Sequence, residues 1–256
     1  EVLWDDGNAQ LKSYEKWFDD LVAWNPDVIV FESTTPVMKF YWKVSKLVKE
    51  KLPKSIIVMT GYHSMRKPEE TLAESATDVV LRSNNLDFVL LRLVNEMAAN
   101  PFWRITTDIE GLTIRTSESE SRSTGSFIQV EPLDNTPLVD RDLVRWKDYA
   151  YENGNYLQTP GTYASSVIRD CMFGKCTFCR YNGPDLTFSM MSVERSLDEY
   201  QTLIEKYGVK EIFDDSGVWY RGREARQFAQ GIIDRGLHKK NCYFGINTRF
   251  ESASRG

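Results

Sequence analysis

Short apolar runs alternate with amphipathic segments over the first hundred residues of the chain. The runs are rich in β-branched residues, as is typical of strands buried on both faces, and the segments that follow them repeat apolar residues at helical spacing. This alternation predicts an α/β domain over residues 1–98, with a Rossmann-like, doubly wound parallel sheet. The runs are DVIVF (27–31), SIIVMT (55–60) and DVVL (78–81), and the helical segments are 37–48 and 86–97.

A polar, turn-rich stretch over residues 99–164 interrupts this pattern. TSESESRSTGS (116–126) has no apolar periodicity, and two prolines follow it in EPLDNTPLVDRDL (131–143). We therefore predict a linker region between two domains, with one hairpin around GLTIRT (111–116).

The alternation returns over residues 165–256. Predicted strands in ASSVIRD (164–170), KEIFDD (210–215) and CYFGINTRF (242–250) are separated by two amphipathic helices, the first beginning at Ser192. Three such repeats predict the opening of a TIM-like (β/α) barrel, which three strands do not close.

Composition and charge narrow the class of protein. The chain has 256 residues, 41% of them hydrophobic, which indicates globular domains with their own cores. Its N-terminus lacks a signal-peptide pattern and it has no apolar run of membrane-spanning length, so we expect a soluble, cytoplasmic protein without a membrane span. A net charge of −5 without a long basic block predicts no nucleic-acid partner.

Three of the four cysteines, Cys171, Cys176 and Cys179, lie within nine positions of one another. They follow the first predicted barrel strand, at the end where barrel enzymes carry their chemistry. Three thiolates can hold three irons of a four-iron cluster and leave the fourth iron open. A structural zinc site fits less well, because neither histidine of the chain is placed as an obvious fourth ligand.

The cysteine spacing also allows a different class of protein. C-x4-C-x2-C with a distant fourth cysteine is the plant-type ferredoxin pattern for a two-iron cluster, and Cys242 could be that ligand. An electron-transfer module therefore remains an alternative, although we expect Cys242 to be a core thiol because it begins a strand two repeats away.

The segment from Ser166 to Arg180, followed by a helix and IFDDSG, resembles a radical S-adenosylmethionine (SAM) enzyme. The preceding PDVIVFESTTP, IIVMTGYHSMRKPEETL and DVVLRSNNLDF resemble the cobalamin-binding domain that a large subgroup of that family carries. The chain is thus identified as a member of the cobalamin-dependent radical SAM family. It departs from the usual C-x3-C-x2-C spacing by one residue, which Gly174 could absorb in a looser turn.

The resemblance implies a role for each matching residue in the second domain. Cys171, Cys176 and Cys179 would ligate a [4Fe-4S] cluster whose open iron binds SAM, and Phe178 would pack on the adenine. Asp214 and Asp215 would contact the SAM ammonium group, and Arg249 its carboxylate. Glu251, in ESAS, would contact the ribose; the natural chain is expected to continue past Gly256, with residues skipped before Glu251.

In the first domain, the resemblance places cobalamin at two strand ends. One family signature, Ser-x-Leu, resembles Ser33, Thr34 and Thr35, with Thr35 in place of the leucine. Another, Gly-Gly, resembles Gly61 and Tyr62, with Tyr62 in place of the second glycine. His63 is assigned to the pocket for the nucleotide tail and not to cobalt. We expect the first strand of this domain to be missing from the chain. The domain lacks the phosphate-binding glycine motifs of dinucleotide and nucleotide sites.

The function that the resemblance implies is reductive cleavage of SAM to a 5′-deoxyadenosyl radical, followed by methyl transfer from cobalamin to an unactivated carbon. A cyclase or oxidoreductase reaction without methyl transfer remains an alternative. Expected partners are a small-molecule or peptide substrate and an electron donor such as flavodoxin or ferredoxin.

Overall fold

The computed structural model describes residues 1–83, 85–125, 132–151, 156–164, 168–169, 171–179 and 188–249. These residues form two compact units. The N-terminal unit contains the described residues from 13 to 125. The C-terminal unit contains residues 1–12 together with the described residues from 132 onward.

The N-terminal unit alternates helices and strands, as its hydrophobic pattern predicts. The two long predicted helices and all three predicted strands are present, each within two residues of its predicted bounds or slightly longer. The helices are α1 (Tyr14–Trp24), α2 (Met38–Lys51), α3 (Tyr62–Arg66), α4 (Pro68–Glu74), α5 (Leu86–Ala99) and α6 (Trp103–Thr106). The strands are β1 (Val28–Glu32), β2 (Ile56–Thr60), β3 (Val79–Leu81), β4 (Leu112–Arg115) and β5 (Ser121–Ser123).

The five strands form one mixed sheet in the order β1-β2-β3-β4-β5. The first three strands are parallel, and Glu32 at the end of β1 is paired with Thr60 at the end of β2. Strands β4 and β5 continue the sheet in antiparallel orientation. The carboxyl ends of β1 and β2 therefore lie side by side.

Helices pack on both faces of this sheet. Ile57 and Met59 of β2 share a core with residues of α1 and α2. Val58, the residue between them, shares a second core with residues of α5 and α6. Successive side chains of a strand point to opposite faces, so this apolar strand needs a helical layer on each side.

The predicted hairpin is present, but it is part of the N-terminal sheet and not of a linker. Strand β4 pairs with all three residues of β3, and β5 pairs with β4. The hairpin thereby satisfies backbone groups along one side of β3 that would otherwise be exposed. The predicted boundary at residue 98 is therefore wrong, because the unit extends to the end of the hairpin.

The C-terminal unit contains a sheet of three parallel strands in the order β10-β9-β6, and a separate antiparallel pair, β7 and β8. The amphipathic helices α8 and α9 lie between its strands in sequence, as predicted. The helices are α7 (Lys147–Ala150), α8 (Val193–Glu205) and α9 (Gly222–Asp234). The strands are β6 (Gly161–Ala164), β7 (Ile168–Arg169), β8 (Ser189–Met190), β9 (Glu211–Asp214) and β10 (Tyr243–Ile246).

Helix α8 begins where the sequence predicts. The Ser192 side chain accepts a hydrogen bond from the Arg195 backbone N–H at 3.2 Å, which satisfies one free donor of the first turn. Leu197 and Tyr200 of α8 then pack with Ile212 of β9 and Phe228 of α9 in one core. This core holds β9 in place, and the strand leads directly into the candidate site.

Two further predictions about this unit need correction. The first strand of the parallel sheet is Gly161–Ala164 and not ASSVIRD, whose Ile168–Arg169 pairs with Ser189–Met190 instead. Residues 1–12 belong to this unit and not to the first domain. Trp4 donates a hydrogen bond to the Tyr149 hydroxyl at 2.9 Å, and that hydroxyl donates to Asp6.

No helix in the described part of the chain is both long enough and apolar enough to cross a membrane.

Candidate functional site

A cavity of about 430 Å³ in the C-terminal unit is lined by all three clustered cysteines. Asp215 follows β9 and Asn247 follows β10, so both reach the cavity from the carboxyl ends of parallel strands. Carboxyl strand ends are where open α/β sheets and barrels bind their ligands. The lining residues are Cys171, Phe173, Cys176, Cys179, Asp215, Gly217, Val218, Asn247 and Arg249.

The three clustered thiols all lie on the wall of this cavity. Among the described residues, no group of three His, Cys, Asp or Glu side chains is placed to hold a single metal ion. The irons of a four-iron cluster each take a separate thiolate, so three cysteines on one wall are a donor set that could hold three of the four irons.

An aromatic ring and a guanidinium group form one part of the cavity wall. The Arg249 guanidinium lies 3.8 Å from the centre of the Phe173 ring, which is a cation–π contact. Phe173 lies in the four-residue gap between the first two cysteines, so this contact joins the cysteine loop to the segment after β10. Sequence reasoning missed Phe173; its place inside the lengthened gap was the available signal.

Phe178, predicted to pack on the adenine, is 91% exposed and does not line the cavity. A ring that packs on a ligand in this cavity has to face it, and Phe173 is the phenylalanine that does. Glu251 lies outside the described residues, so its predicted ribose contact stays a prediction.

The structure separates the two aspartates that the sequence treated as a pair. Asp215 lines the cavity, whereas Asp214 is fully buried and points into the unit's interior. Burial raises the pKa of the Asp214 carboxyl above its usual value, although hydrogen bonds from Ser216, Trp219 and Tyr200 act in the opposite direction. Neighbouring strand residues point to opposite faces, which explains why only one of the two reaches the cavity.

Cys242 lies apart from the three clustered cysteines. It packs against the core of the C-terminal unit just before β10, at the amino end of the strand whose carboxyl side supplies Asn247. Burial raises the pKa of the Cys242 thiol to about 11, so the thiol is protonated at neutral pH. Its position is that of the core thiol predicted from the sequence.

The predicted cobalamin-contacting residues come together at the carboxyl ends of β1 and β2. The Ser33 backbone N–H donates to the Thr60 carbonyl at 3.1 Å, and a Cβ added to Gly61 would lie 2.1 Å from the Ser33 carbonyl oxygen. His63 Nδ1 lies 3.3 Å from the Thr35 hydroxyl. Thr34 is exposed and Tyr62 is half-buried at the same edge.

Several buried polar atoms near this edge have no hydrogen-bond partner among the described residues. They belong to consecutive parts of β2 and α3 and to Trp42, whose ring lies 5.8 Å from that of His63. One of them, His63 Nε2, lies 4.0 Å from the Glu70 carboxylate. Buried polar groups are normally satisfied, so a group of orphaned ones marks a place where a polar ligand could bind. The atoms are Trp42 Nε1, Thr60 Oγ1, His63 Nε2 and Ser64 Oγ.

No protein-family profile matches the chain. The chain is 26% identical to the anaerobic magnesium-protoporphyrin IX monomethyl ester cyclase of Cereibacter sphaeroides over 255 residues, which is 98% of this chain and 40% of that protein. It is also 26% identical to an uncharacterized methyltransferase of Pyrococcus horikoshii over 238 residues, 91% of this chain and 49% of that protein. The chain thus spans less than half the length of either relative.

Two solved structures of TsrM, a radical SAM methyltransferase from Kitasatospora setae, share the fold. Their TM-scores are 0.67 and 0.65 at 13% identity, and each match covers 93% of this chain and 46% of the other. One structure contains tryptophan substrate and a SAM analogue, and the other contains cobalamin and a [4Fe-4S] cluster.

Proposed function

We propose that the chain is the cofactor-binding part of a cobalamin-dependent radical SAM enzyme, because the enzymes whose sequences and fold it resembles include a cyclase, a methyltransferase and a radical SAM methyltransferase solved with cobalamin and a [4Fe-4S] cluster. Its three-stranded parallel sheet is then one portion of the (β/α) barrel, and its N-terminal unit is the cobalamin-binding domain. The observation that carries this proposal is the cavity, where the three cysteines and Asp215 meet at carboxyl strand ends.

Cys171, Cys176 and Cys179 would each hold one iron of a [4Fe-4S] cluster. When bound, the cluster supplies the electron that cleaves SAM reductively. Around it, the Asp215 carboxylate would accept hydrogen bonds from the SAM ammonium group, and the Arg249 guanidinium, held on the Phe173 ring, would bind the SAM carboxylate. Gly217 and Val218 form an apolar stretch of the wall that would keep water from the reacting atoms.

The N-terminal unit fits cobalamin at the β1 and β2 ends. The nucleotide tail of cobalamin carries hydroxyl and phosphate oxygens and amides, which can satisfy the orphaned Thr60, Ser64 and His63 atoms. Those groups and the backbone around Gly61 would orient the tail. His63 Nδ1 is already placed against Thr35, so the ring is fixed at the sheet edge and need not bind cobalt.

The reaction that we propose is methyl transfer to an unactivated carbon of a small-molecule or peptide substrate, with a flavodoxin or ferredoxin as electron donor. A cyclase reaction is the second candidate, because one of the two named relatives is a cyclase. Analysis of the product by mass spectrometry distinguishes the two, since only methyl transfer adds the mass of a methyl group.

The test of the cluster assignment is a set of four cysteine variants, reconstituted anaerobically with iron and sulfide. Alanine at position 171, 176 or 179 should abolish the brown colour and the iron content of about four per chain, because each change removes one thiolate ligand. SAM cleavage to 5′-deoxyadenosine should be lost with it.

Cys242→Ala is the matched control, and its iron content and SAM cleavage should equal those of the wild type. Iron near two per chain, lost equally in the Cys242 variant and without SAM cleavage, would establish the ferredoxin alternative instead.

A further inference from the structure

The segment that follows β9, residues 215–219, presents some of its residues to the cavity and others to the interior of the unit. Asp215, Gly217 and Val218 line the cavity, whereas Ser216 and Trp219 turn away from it toward Asp214. Residues 215–219 therefore form part of the cavity wall, and their conformation depends on the contacts that Ser216 and Trp219 make on the side away from the cavity.

Asp214 holds that side through both of its carboxylate oxygens. Oδ1 accepts the Ser216 backbone N–H at 3.0 Å and the Ser216 hydroxyl, and Oδ2 accepts Trp219 Nε1 at 3.0 Å and the Tyr200 hydroxyl at 3.4 Å. An ionised carboxylate offers about four acceptor positions. These four donors occupy them, so Asp214 has no position left for a ligand ammonium group.

Asn247 holds the same segment from the neighbouring strand. Its side-chain amide donates to Asp215 Oδ1 at 3.3 Å and to the Ser216 carbonyl at 3.2 Å. Its backbone carbonyl accepts the Trp219 N–H at 2.9 Å. The segment is thus fixed between the ends of β9 and β10, and the Asp215 side chain is oriented by one of these bonds.

We propose that Asp214 is a positioning residue, which together with Asn247 holds Asp215 at the cavity wall and acts on bound SAM only through Asp215. This inference rests on the proposed function, since it takes SAM as the ligand of the cavity. It replaces the expectation that both aspartates contact the SAM ammonium group.

The substitution Asp214→Asn is suited to testing this role. The asparagine amide keeps one acceptor oxygen, but its NH₂ group is a donor and faces either Trp219 Nε1–H or the Ser216 donors. Two donors cannot form a hydrogen bond with each other, so the hydrogen bonds to Trp219 or those to Ser216 are lost. Asp215→Asn removes the charge at the cavity without changing the attachments at Asp214.

The experiment is a double-mutant cycle on the reconstituted holoprotein, with the SAM dissociation constant measured by calorimetry. Each single variant should raise the constant, Asp215→Asn by about one to two decades as expected for a charge-assisted hydrogen bond. The double variant should bind SAM no more weakly than Asp215→Asn alone. Effects that multiply in the double variant would overturn the inference, because independent contacts add in free energy.

Glu199→Gln is the matched control for losing a buried carboxylate. Glu199 lies in the same unit, is 2% exposed and forms an ion pair with Arg141 at 2.9 Å. Neither residue lines the cavity. The substitution should lower thermal stability and leave the SAM dissociation constant unchanged. Weaker SAM binding in this variant, equal to that of Asp214→Asn, would reduce Asp214 to a general structural role and overturn the inference.

Hydrogen exchange of the ligand-free protein separates this inference from the proposed function. Asp214→Asn should speed amide exchange within residues 215–219 at least tenfold, whereas Glu199→Gln should not. Unchanged exchange in Asp214→Asn overturns the positioning role whatever the ligand is. A wild-type protein that binds no SAM refutes the proposed function, while faster exchange in Asp214→Asn would still establish that Asp214 holds the segment.

Discussion

Thr60 ends β2 with a buried hydroxyl that has no partner among the described residues. Its side chain is 2% exposed, while its backbone carbonyl accepts hydrogen bonds from Ser33. Leaving a buried hydroxyl unpaired costs about 1 to 3 kcal/mol, so the chain carries a local instability that a polar ligand would relieve. In the proposed enzyme that ligand is the nucleotide tail of cobalamin.

Thr60→Val should therefore have opposite effects on the corrinoid-free and corrinoid-bound protein. Removing the unpaired hydroxyl should leave the free energy of unfolding unchanged or raise it by about 1 kcal/mol, and should lower the corrinoid retained after reconstitution with hydroxocobalamin and desalting. Urea unfolding and the absorbance of the bound corrinoid measure the two effects.

Thr113→Val is the control for this substitution. Thr113 is 1% exposed, its hydroxyl has no partner within the described part of the chain, and it lies on β4, away from the β1 and β2 ends. It should change stability in the same direction and leave corrinoid retention at the wild-type value. Equal retention in wild type and Thr60→Val would remove Thr60 from the proposed site.

At the scale of elements, the β1 and β2 ends are packed so closely that a glycine is required between them. Gly61 has φ +98°, and a Cβ at this position would lie 2.1 Å from the Ser33 carbonyl oxygen and 2.9 Å from its nitrogen. A side chain at position 61 therefore meets the backbone of Ser33 before it meets any ligand. Loss of corrinoid from a Gly61 variant would therefore not distinguish a blocked pocket from a clash with the Ser33 backbone.

Gly61→Ala should lower the free energy of unfolding by about 2 kcal/mol or more, through the positive φ and the contact with Ser33 together. Gly125→Ala is the matched comparison, because Gly125 has φ +91° in the same unit and no atom of the described residues lies within 4 Å of its added Cβ. Its loss should be about 1 kcal/mol. Equal losses in the two variants would show that the approach of Ser33 is not the reason for glycine at position 61.

At the scale of the whole molecule, the two proposed cofactor sites belong to different compact units. The cysteine cavity lies in the C-terminal unit, and the orphaned polar atoms lie in the N-terminal unit, each beside that unit's own core. Loss of one cofactor should therefore leave the fold that binds the other intact.

We expect iron and cobalt to be lost independently of each other. After reconstitution with both cofactors, Cys176→Ala should lack iron and keep its corrinoid, and Thr60→Val should keep its iron and retain less corrinoid than the wild type. Metal analysis of the desalted proteins measures both contents in one sample. Loss of both metals in Cys176→Ala, with an unchanged unfolding transition, would contradict two independent sites.

The sequence by itself determined the three parallel strands of the N-terminal sheet, two strands of the C-terminal sheet and four of the long helices. Apolar periodicity located these elements, because burial of one face or both is a local property of the pattern. Ser192 predicted the start of α8 because its cap bond reaches only three residues along the chain. The cysteine spacing likewise identified the cluster of thiols, since the loop keeps them together.

Only the tertiary structure decided which of the candidate residues line the cavity. Asp214 and Asp215 are adjacent in the sequence, yet one anchors the cavity wall and the other faces the cavity, since the end of β9 directs them to opposite sides. Phe173 and not Phe178 lines the cavity, and the segment of Trp4 joins the C-terminal unit through Tyr149. Alternation along β9 predicts that the two aspartates face opposite sides, but which side is the cavity depends on Asn247 and Arg249, which are distant in the chain.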